Sequence, residues 1–306
     1  MKSVAAPRRR TGFAAVWNEH KGKYILIIPF VLIFFVFTFI PVVMSIFISF
    51  TDFNMLETPR FVGAMNYINL FTNDAVFLVA LQNTLFLALV TGPASYLLCF
   101  IFAWLINGLP NKIRAVLTLV FYAPSISGSA FLIWGLIFHS DSNGFANAWL
   151  MRIGLTQGPI WFFDTRQYIM PIIILVQLWL SLGVSFLAFI AGLKNVDTAL
   201  YESGSIDGIT NRWQELWFIT LPSMKPQLLF GAVMQITIAF SISDISMELA
   251  GFPSFEYAAH TILVHLHDFG SIRMEMGYAS AIATILFFMM VLTNLLVQKL
   301  LRRVGE

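Results

Sequence analysis

Charge is scarce in this chain: Asp, Glu, Lys and Arg make up 11% of its 306 residues, and the formal net charge is +2. Soluble domains carry roughly 25% charged residues, so a soluble globular enzyme and a disordered chain are both excluded. So small a net charge offers no field for nucleic acid. There is one cysteine, Cys99, which leaves neither an internal disulfide nor a thiolate metal cluster. A phosphate loop of the form G-x-x-x-x-G-K-[ST] is missing too; Gly22-Lys23 stands without its cradle. What fills the chain is apolar, at 58% hydrophobic and 15% aromatic residues. This is a membrane protein.

Runs free of charge locate the spans. They cover 24–51, 75–111, 115–140, 167–193, 226–243 and 276–298. A helix needs roughly 20 apolar residues to cross about 30 Å of hydrocarbon, so each run is read as one span. The expected spans are 24–50, 78–106, 115–138, 168–193, 226–249 and 277–299. The fifth is extended past Asp244 towards Leu249, which sets a carboxylate in or near the membrane. An arm at 1–23 and a tail at 301–306 flank a membrane-spanning domain over 24–300.

Basic residues set the direction. With the N-terminus inside, the cytoplasmic segments hold all of the 18 Lys and Arg except Arg60, Arg152, Arg166 and Arg273. The positive-inside rule expects that asymmetry. The fold class is therefore all-α, with six transmembrane helices and both termini cytoplasmic. The first apolar run is longer than a signal-peptide core and no small-residue cleavage site follows it, so it reads as an uncleaved helix. Arg8–Arg10 and the segment 17–24 read as an interfacial helix or a disordered arm beside anionic lipid. Pro29, Pro41, Pro93, Pro124 and Pro171 fall within spans, where each removes a backbone donor and can kink its helix.

The longest cytoplasmic connection is 194–225. Asp197 caps a helix through Ile206 by accepting orphan amide protons. Asp207-Gly208 is a turn, because glycine takes positive φ without a Cβ clash. A second helix follows with Trp213, Leu216 and Trp217 on one face, and it is expected to end before Pro222. The first helix offers small residues, Ser203, Gly204 and Ser205, beside Glu202. They admit another backbone closely, which suits a docking helix; an ordinary amphipathic connection fits the pattern equally well.

The run Glu202-Ser203-Gly204, Asp207-Gly208, then Ile219-Thr220-Leu221-Pro222 resembles the E-A-A…G…I-x-L-P signature of ATP-binding-cassette importer membrane subunits. Ser203-Gly204 replaces Ala-Ala, and ten residues rather than nine separate Gly208 from Ile219. Tyr122-Ala123-Pro124 with Trp134 is similar to the third-span region of carbohydrate importers. So is the pattern of Gly144, Asn147, Leu150 and Gly154 followed by Trp161 to their next outer loop, and Asn83-Thr84 to the second span. The likeness covers most of the chain after about residue 25 and is nearest to the first membrane subunit of maltose-type and glycerol-phosphate-type importers. Two departures are Gly251-Phe252-Pro253, where many relatives show Gly-Gly-Pro, and a C-terminus without a glycine-rich tail.

The resemblance implies a permease subunit in a bacterial or archaeal cytoplasmic membrane. It implies a second permease subunit in a heterodimer, two ATPase subunits that bind ATP and Mg, and an extracytoplasmic solute-binding protein that delivers a sugar. No cofactor is expected in this chain, and it is not expected to be an enzyme. Glu202, Ser203, Gly204, Asp207, Gly208, Leu221 and Pro222 become the ATPase-coupling residues.

Substrate contacts are sought among Asn83, Tyr122, Ser125, Trp179 and Asp244, since sugar faces stack on rings while hydroxyls need paired donors and acceptors. Asp244 and Glu248 share a helical face at the outer end of the fifth span. They stand either as sugar ligands or as interface groups, in water or paired with Arg273. His260, His265, His267 and Asp268 cluster in the outer segment, yet their spacing matches no familiar metal motif, and loop structure or contact with the binding protein is the competing reading. Two other classes remain beside the importer. One is an ion-coupled carrier using Asp244 or Glu248, though no internal repeat supports it. The other is a metalloenzyme built on the three histidines. The family transports oligosaccharides, monosaccharides and polyol phosphates, and the scattered outer basic residues argue against a phosphorylated cargo.

Overall fold

The computed structural model describes residues 13–303, and the regular elements among them are helices, apart from one isolated bridge between Thr51 and Phe61. Among the described residues, four helices are long and apolar enough to cross a membrane: 22–48, Ala75–Asn107, 225–250 and Met276–Leu301. A fifth span arises if Arg166–Leu180 and Val184–Lys194, bent by 41°, are taken together.

The first helix begins at Phe13 and runs without a break into the apolar run, so that part of the predicted arm is continuous with the span. Residues 1–12 and 304–306 of the predicted arm and tail lie outside the described residues. A π-helical turn at Phe35–Phe39 precedes the continuation Ile40–Ile48.

The third predicted span is divided. Asn111–Ile126 is one helix, Leu132–Ile137 another, and 127–131 turn between them. Pro124 lacks an amide proton, and the Ser125 hydroxyl bonds back to the Tyr122 carbonyl. Ser127, Gly128 and Ser129 then supply no apolar side chains to sustain helix packing. Two other interruptions also fall at small polar residues rather than at proline. The fourth segment bends at Ser181–Gly183, whereas Pro171 lies within its first helix. The fifth breaks at 241–243 before resuming as Asp244–Ala250.

The second, fourth and fifth segments make the centre. Phe186 and Phe189 are fully buried between them, with Tyr96 and Phe100 meeting the Phe189 ring edge-on. Gly231 leaves room for that ring, since a Cβ there would collide with Phe189. The last helix packs beside them through Ala281 and Ile282. The first helix is peripheral: no residue of its apolar window is buried.

Connections gather by end. Gly277 donates to the Phe53 carbonyl, and the Tyr278 hydroxyl reaches Asp74, which joins 50–77 to 251–278. At the other end Trp213 lies 5.0 Å from Trp104, bringing 194–225 onto the tail of the second helix.

Candidate functional site

The hairpin at 198–223 is built as its local chemistry dictates. Asp197 accepts the Ala199 amide and starts Thr198–Ile206; Gly208, at φ 92°, makes the reversal. Asn211 accepts from Trp213 and Gln214 and starts the return helix. The two arms meet at Gly204, whose virtual Cβ would lie 2.6 Å from Ile219 Cδ1 and 3.1 Å from Ile209 Cδ1. Gly204 thus serves contact within the hairpin, and Glu202, Ser203, Ile206 and Asp207 are left exposed.

The return arm differs from the periodic reading in two respects. Trp213 and Trp217 are exposed whereas Leu216 is buried, so the three do not share a face. The helix also does not end before Pro222. A π turn covers Leu216–Thr220, the Leu221 amide reaches back to the Leu216 carbonyl, and helix continues through Leu221–Ser223. The wider turn eases the clash of the proline ring with the carbonyl four residues earlier.

A mixed polar and apolar cavity of about 300 Å³ lies against the interruptions at 127–131 and 241–243, one residue short of the third. Ser125, Ser127, Gln177, Thr237, Ser241, Ser243 and Asp244 line it. Ser243 donates to Asp244 at 2.8 Å. Of the five expected substrate residues, the structure brings Ser125 and Asp244 to this cavity. Tyr122 sits one turn before Ser125 and is partly buried. Trp179 packs edge-on against Trp134 at 5.6 Å. Asn83 lies elsewhere and donates to the carbonyls of Tyr257 and His260 at 3.0 and 2.9 Å. Arg273 pairs with Asp268 at 2.7 Å, so Asp244 and Glu248 do not take it as a partner.

Residues missed in the sequence support the breaks. Gln235 is buried and donates to the Ser181 carbonyl at 3.1 Å and to Cys99 Sγ at 3.2 Å. Gln177 adds an amide to the cavity wall. Both were visible as polar residues inside charge-free runs.

At the end predicted to lie outside, the histidines do not converge on one point. His260 Nε2 is 3.1 Å from His265 Nδ1, and His265 Nε2 is 3.0 Å from Asp74 Oδ2. His267 is exposed beside Phe252, and among the described residues no group of three or more potential ligands is placed to hold a metal. Burial pushes His260 down to about 4 and lowers His265 as well. For Asp74, burial acts upward but is outweighed by the Phe77 amide, His265 and Tyr278, which hold the carboxyl below its usual value.

No family model matches the chain. Among curated proteins it is 32% identical over 291 residues to "Probable ABC transporter permease protein YesP" of Bacillus subtilis, covering 93% of this chain and 92% of that protein. It is 30% identical over 303 residues to "Arabinooligosaccharides transport system permease protein AraP" of the same species, covering 97% and 94%. A more distant relative is "Lactose transport system permease protein LacF" of Rhizobium radiobacter, at 26% identity over 77% of this chain and 86% of that protein. Among solved structures, a bacterial ABC transporter involved in the import of the acidic polysaccharide alginate superposes with a TM-score of 0.74 at 24% identity, over 95% of this chain and 99% of that one. That transporter in complex with an alginate pentasaccharide-bound periplasmic protein gives 0.77 at 22% identity, over 95% and 98%. The relatives carry the family and the solved structures the fold: this chain belongs to the permease subunits of ABC transporters, in the branch of sugar and oligosaccharide uptake.

Proposed function

We propose that the chain is one of two membrane subunits of a binding-protein-dependent importer, and that it carries a carbohydrate inward by alternating access. In this reading it crosses the cytoplasmic membrane of a bacterium or archaeon six times, the divided third segment counting as one crossing. Both ends are cytoplasmic, flanking the permease domain at 24–300. The basic residues support that topology, since Arg60, Arg152, Arg166 and Arg273 alone fall outside.

The observation that carries the proposal is the hairpin 198–223. It is a capped, glycine-turned unit whose exposed edge, Glu202, Ser203, Ile206 and Asp207, projects from the end opposite the histidines. Gly204 and Gly208 give it shape, and Leu221 and Pro222 lead it into the fifth segment. A rigid element that makes different contacts in two states is what coupling requires. ATP and Mg then belong to two partner ATPases, and this chain hydrolyses nothing and holds no cofactor. A solute-binding protein docks on the opposite face.

The cavity beside Asp244 suits an uncharged, hydroxyl-rich cargo. Its hydroxyl and amide groups can match sugar hydroxyls, which are costly to desolvate unpaired. The names of the arabinooligosaccharide and lactose relatives support an oligosaccharide or small sugar. Gly208→Val tests the coupling role. The variant is expected to insert normally and to lose ATP-driven uptake at least ~10-fold while ATP hydrolysis continues. Uptake at the wild-type rate would remove the assignment.

A further inference from the structure

The importer reading leaves Asp74 and the two buried histidines without a role, although they form one continuous chain of hydrogen bonds. Asp74 is an acceptor at both oxygens. Phe77 N–H donates to Oδ1 at 2.8 Å, and the Tyr278 hydroxyl and His265 Nε2 approach Oδ2 at 3.0 Å each. An ionised carboxylate has no proton to give, so His265 carries its proton on Nε2 and accepts at Nδ1. His260 must then donate from Nε2. Its Nδ1 finds no partner among the described residues and is the bare nitrogen of the ring. The carboxylate thereby fixes both tautomers.

What the relay grips is 251–275, the irregular segment between the fifth and last spans. Asn83 holds the carbonyls of Tyr257 and His260, and the Thr84 hydroxyl accepts the Ile262 amide at 2.8 Å. Thr261, next to His260, donates to the Ile242 carbonyl at 2.7 Å. Ile242 lies in the interruption of the fifth segment, two residues before Asp244. From this continuity we infer that Asp74, His265 and His260 are positioning residues: their relay seats 251–275 on the second span and, through Thr261, fixes the broken end of the fifth span that presents Asp244 to the cavity.

The arrangement has a pH sign. Asp74 and Tyr278 face the histidines from the second and last helices, Asp268 and Arg273 from the segment itself, and Glu275 flanks Tyr278. When the segment is released, the histidines return towards the ordinary value of 6.5; when seated, burial keeps them lower, His260 at about 4. The released state therefore binds more protons between these values, and seating weakens as pH falls through that window. Below it, protonation of Asp74 acts in the same direction.

The inference rests on the importer reading only for which face is outside. Its test is hydrogen exchange of the full chain in lipid nanodiscs, expressed as protection factors for the amides of 260–265. Wild-type protection is expected to fall ~10-fold from about pH 7.5 to about pH 5. Asp74→Asn turns an amide towards Tyr278 and His265, which must then accept; both tautomers reverse and a buried N–H is left unpaired at His260 Nδ1, so ~10-fold protection should be lost already at about pH 7.5. Tyr278→Phe, a milder change that keeps the carboxylate, should lose less and retain the pH dependence. His260→Gln and His265→Gln together should flatten the profile, whereas the exposed neighbour variant His267→Gln should leave it intact. Wild-type protection and profile in both Asp74→Asn and Tyr278→Phe, or an equal flattening by His267→Gln, would overturn the assignment. Because the readout is local exchange, it can fail while sugar import stands, and the converse holds.

Discussion

Gln235 is the residue on which the bent fourth segment depends. The Ser181 carbonyl is released from helical bonding where the helix breaks, and backbone freed at membrane depth must find a partner in the protein. The Gly183 amide donates to it at 2.7 Å, and Gln235 adds a donor from the fifth segment at 3.1 Å, with Cys99 Sγ donating to the same carbonyl at 3.3 Å. Gln235→Leu keeps the bulk but removes the donor. With Gly183 and Cys99 still serving the carbonyl, it should cost about 0.5–1.5 kcal/mol, read as a lowered thermal midpoint of the purified chain in detergent. An unchanged midpoint would mean that the bond contributes nothing net. Polar residues of this kind were legible as exceptions within apolar runs, but their partners were not. Nothing in the spacing of Cys99, Ser181 and Gln235 along the chain tells that they meet. Asn83 illustrates the opposite case. Its motif context suggested sugar contact, whereas both amide protons are committed to backbone carbonyls of 251–275.

Among the elements, proline acts at one remove. Phe35–Phe39 and Leu216–Thr220 are both π turns, and Pro41 and Pro222 follow each by two residues. In each the next amide, Ile40 or Leu221, bonds five residues back, to Phe35 or Leu216. Widening the turn lets the chain pass a ring that would otherwise meet the carbonyl four residues before it. The π turn also takes up one residue more than an α turn. Ile219 lies within that turn and meets Gly204. The capped start at Asp197 and the reversal at Gly208 were legible because they depend on single residues and their nearest neighbours. The π turn was not, because it depends on a clash between turns. Gly204→Leu should separate the arms, since even a Cβ would sit 2.6 Å from Ile219 Cδ1. The strain, about 1–3 kcal/mol, should appear as faster proteolysis within 198–223 while insertion is unaffected.

For the whole molecule, the expected topology rests on charge rather than on periodicity. The segments between apolar runs sort by their Lys and Arg, and the structure gathers 50–77 with 251–278 at one end and the tail of the second helix with 194–225 at the other. Among the described residues four spans, or five with the bent pair taken as one, satisfy length and apolarity, because the third predicted one is divided at 127–131. The interruptions, two of which line the cavity, were hidden in short runs of Ser and Gly, which serve equally as packing residues between membrane helices. The exposed apolar face of the first helix, with no residue of its window buried, meets lipid or another subunit.

The central claim is that this permease works by docking a partner ATPase on 198–223. It is tested most directly by purifying the full chain from native membranes in mild detergent and identifying what accompanies it by mass spectrometry, beside a Glu202→Lys, Gly208→Val variant. The prediction is a second permease and a phosphate-loop ATPase with the wild type, and loss of the ATPase, with the second permease retained, from the variant. A wild-type chain recovered alone, or an ATPase that stays with the variant undiminished, would contradict it.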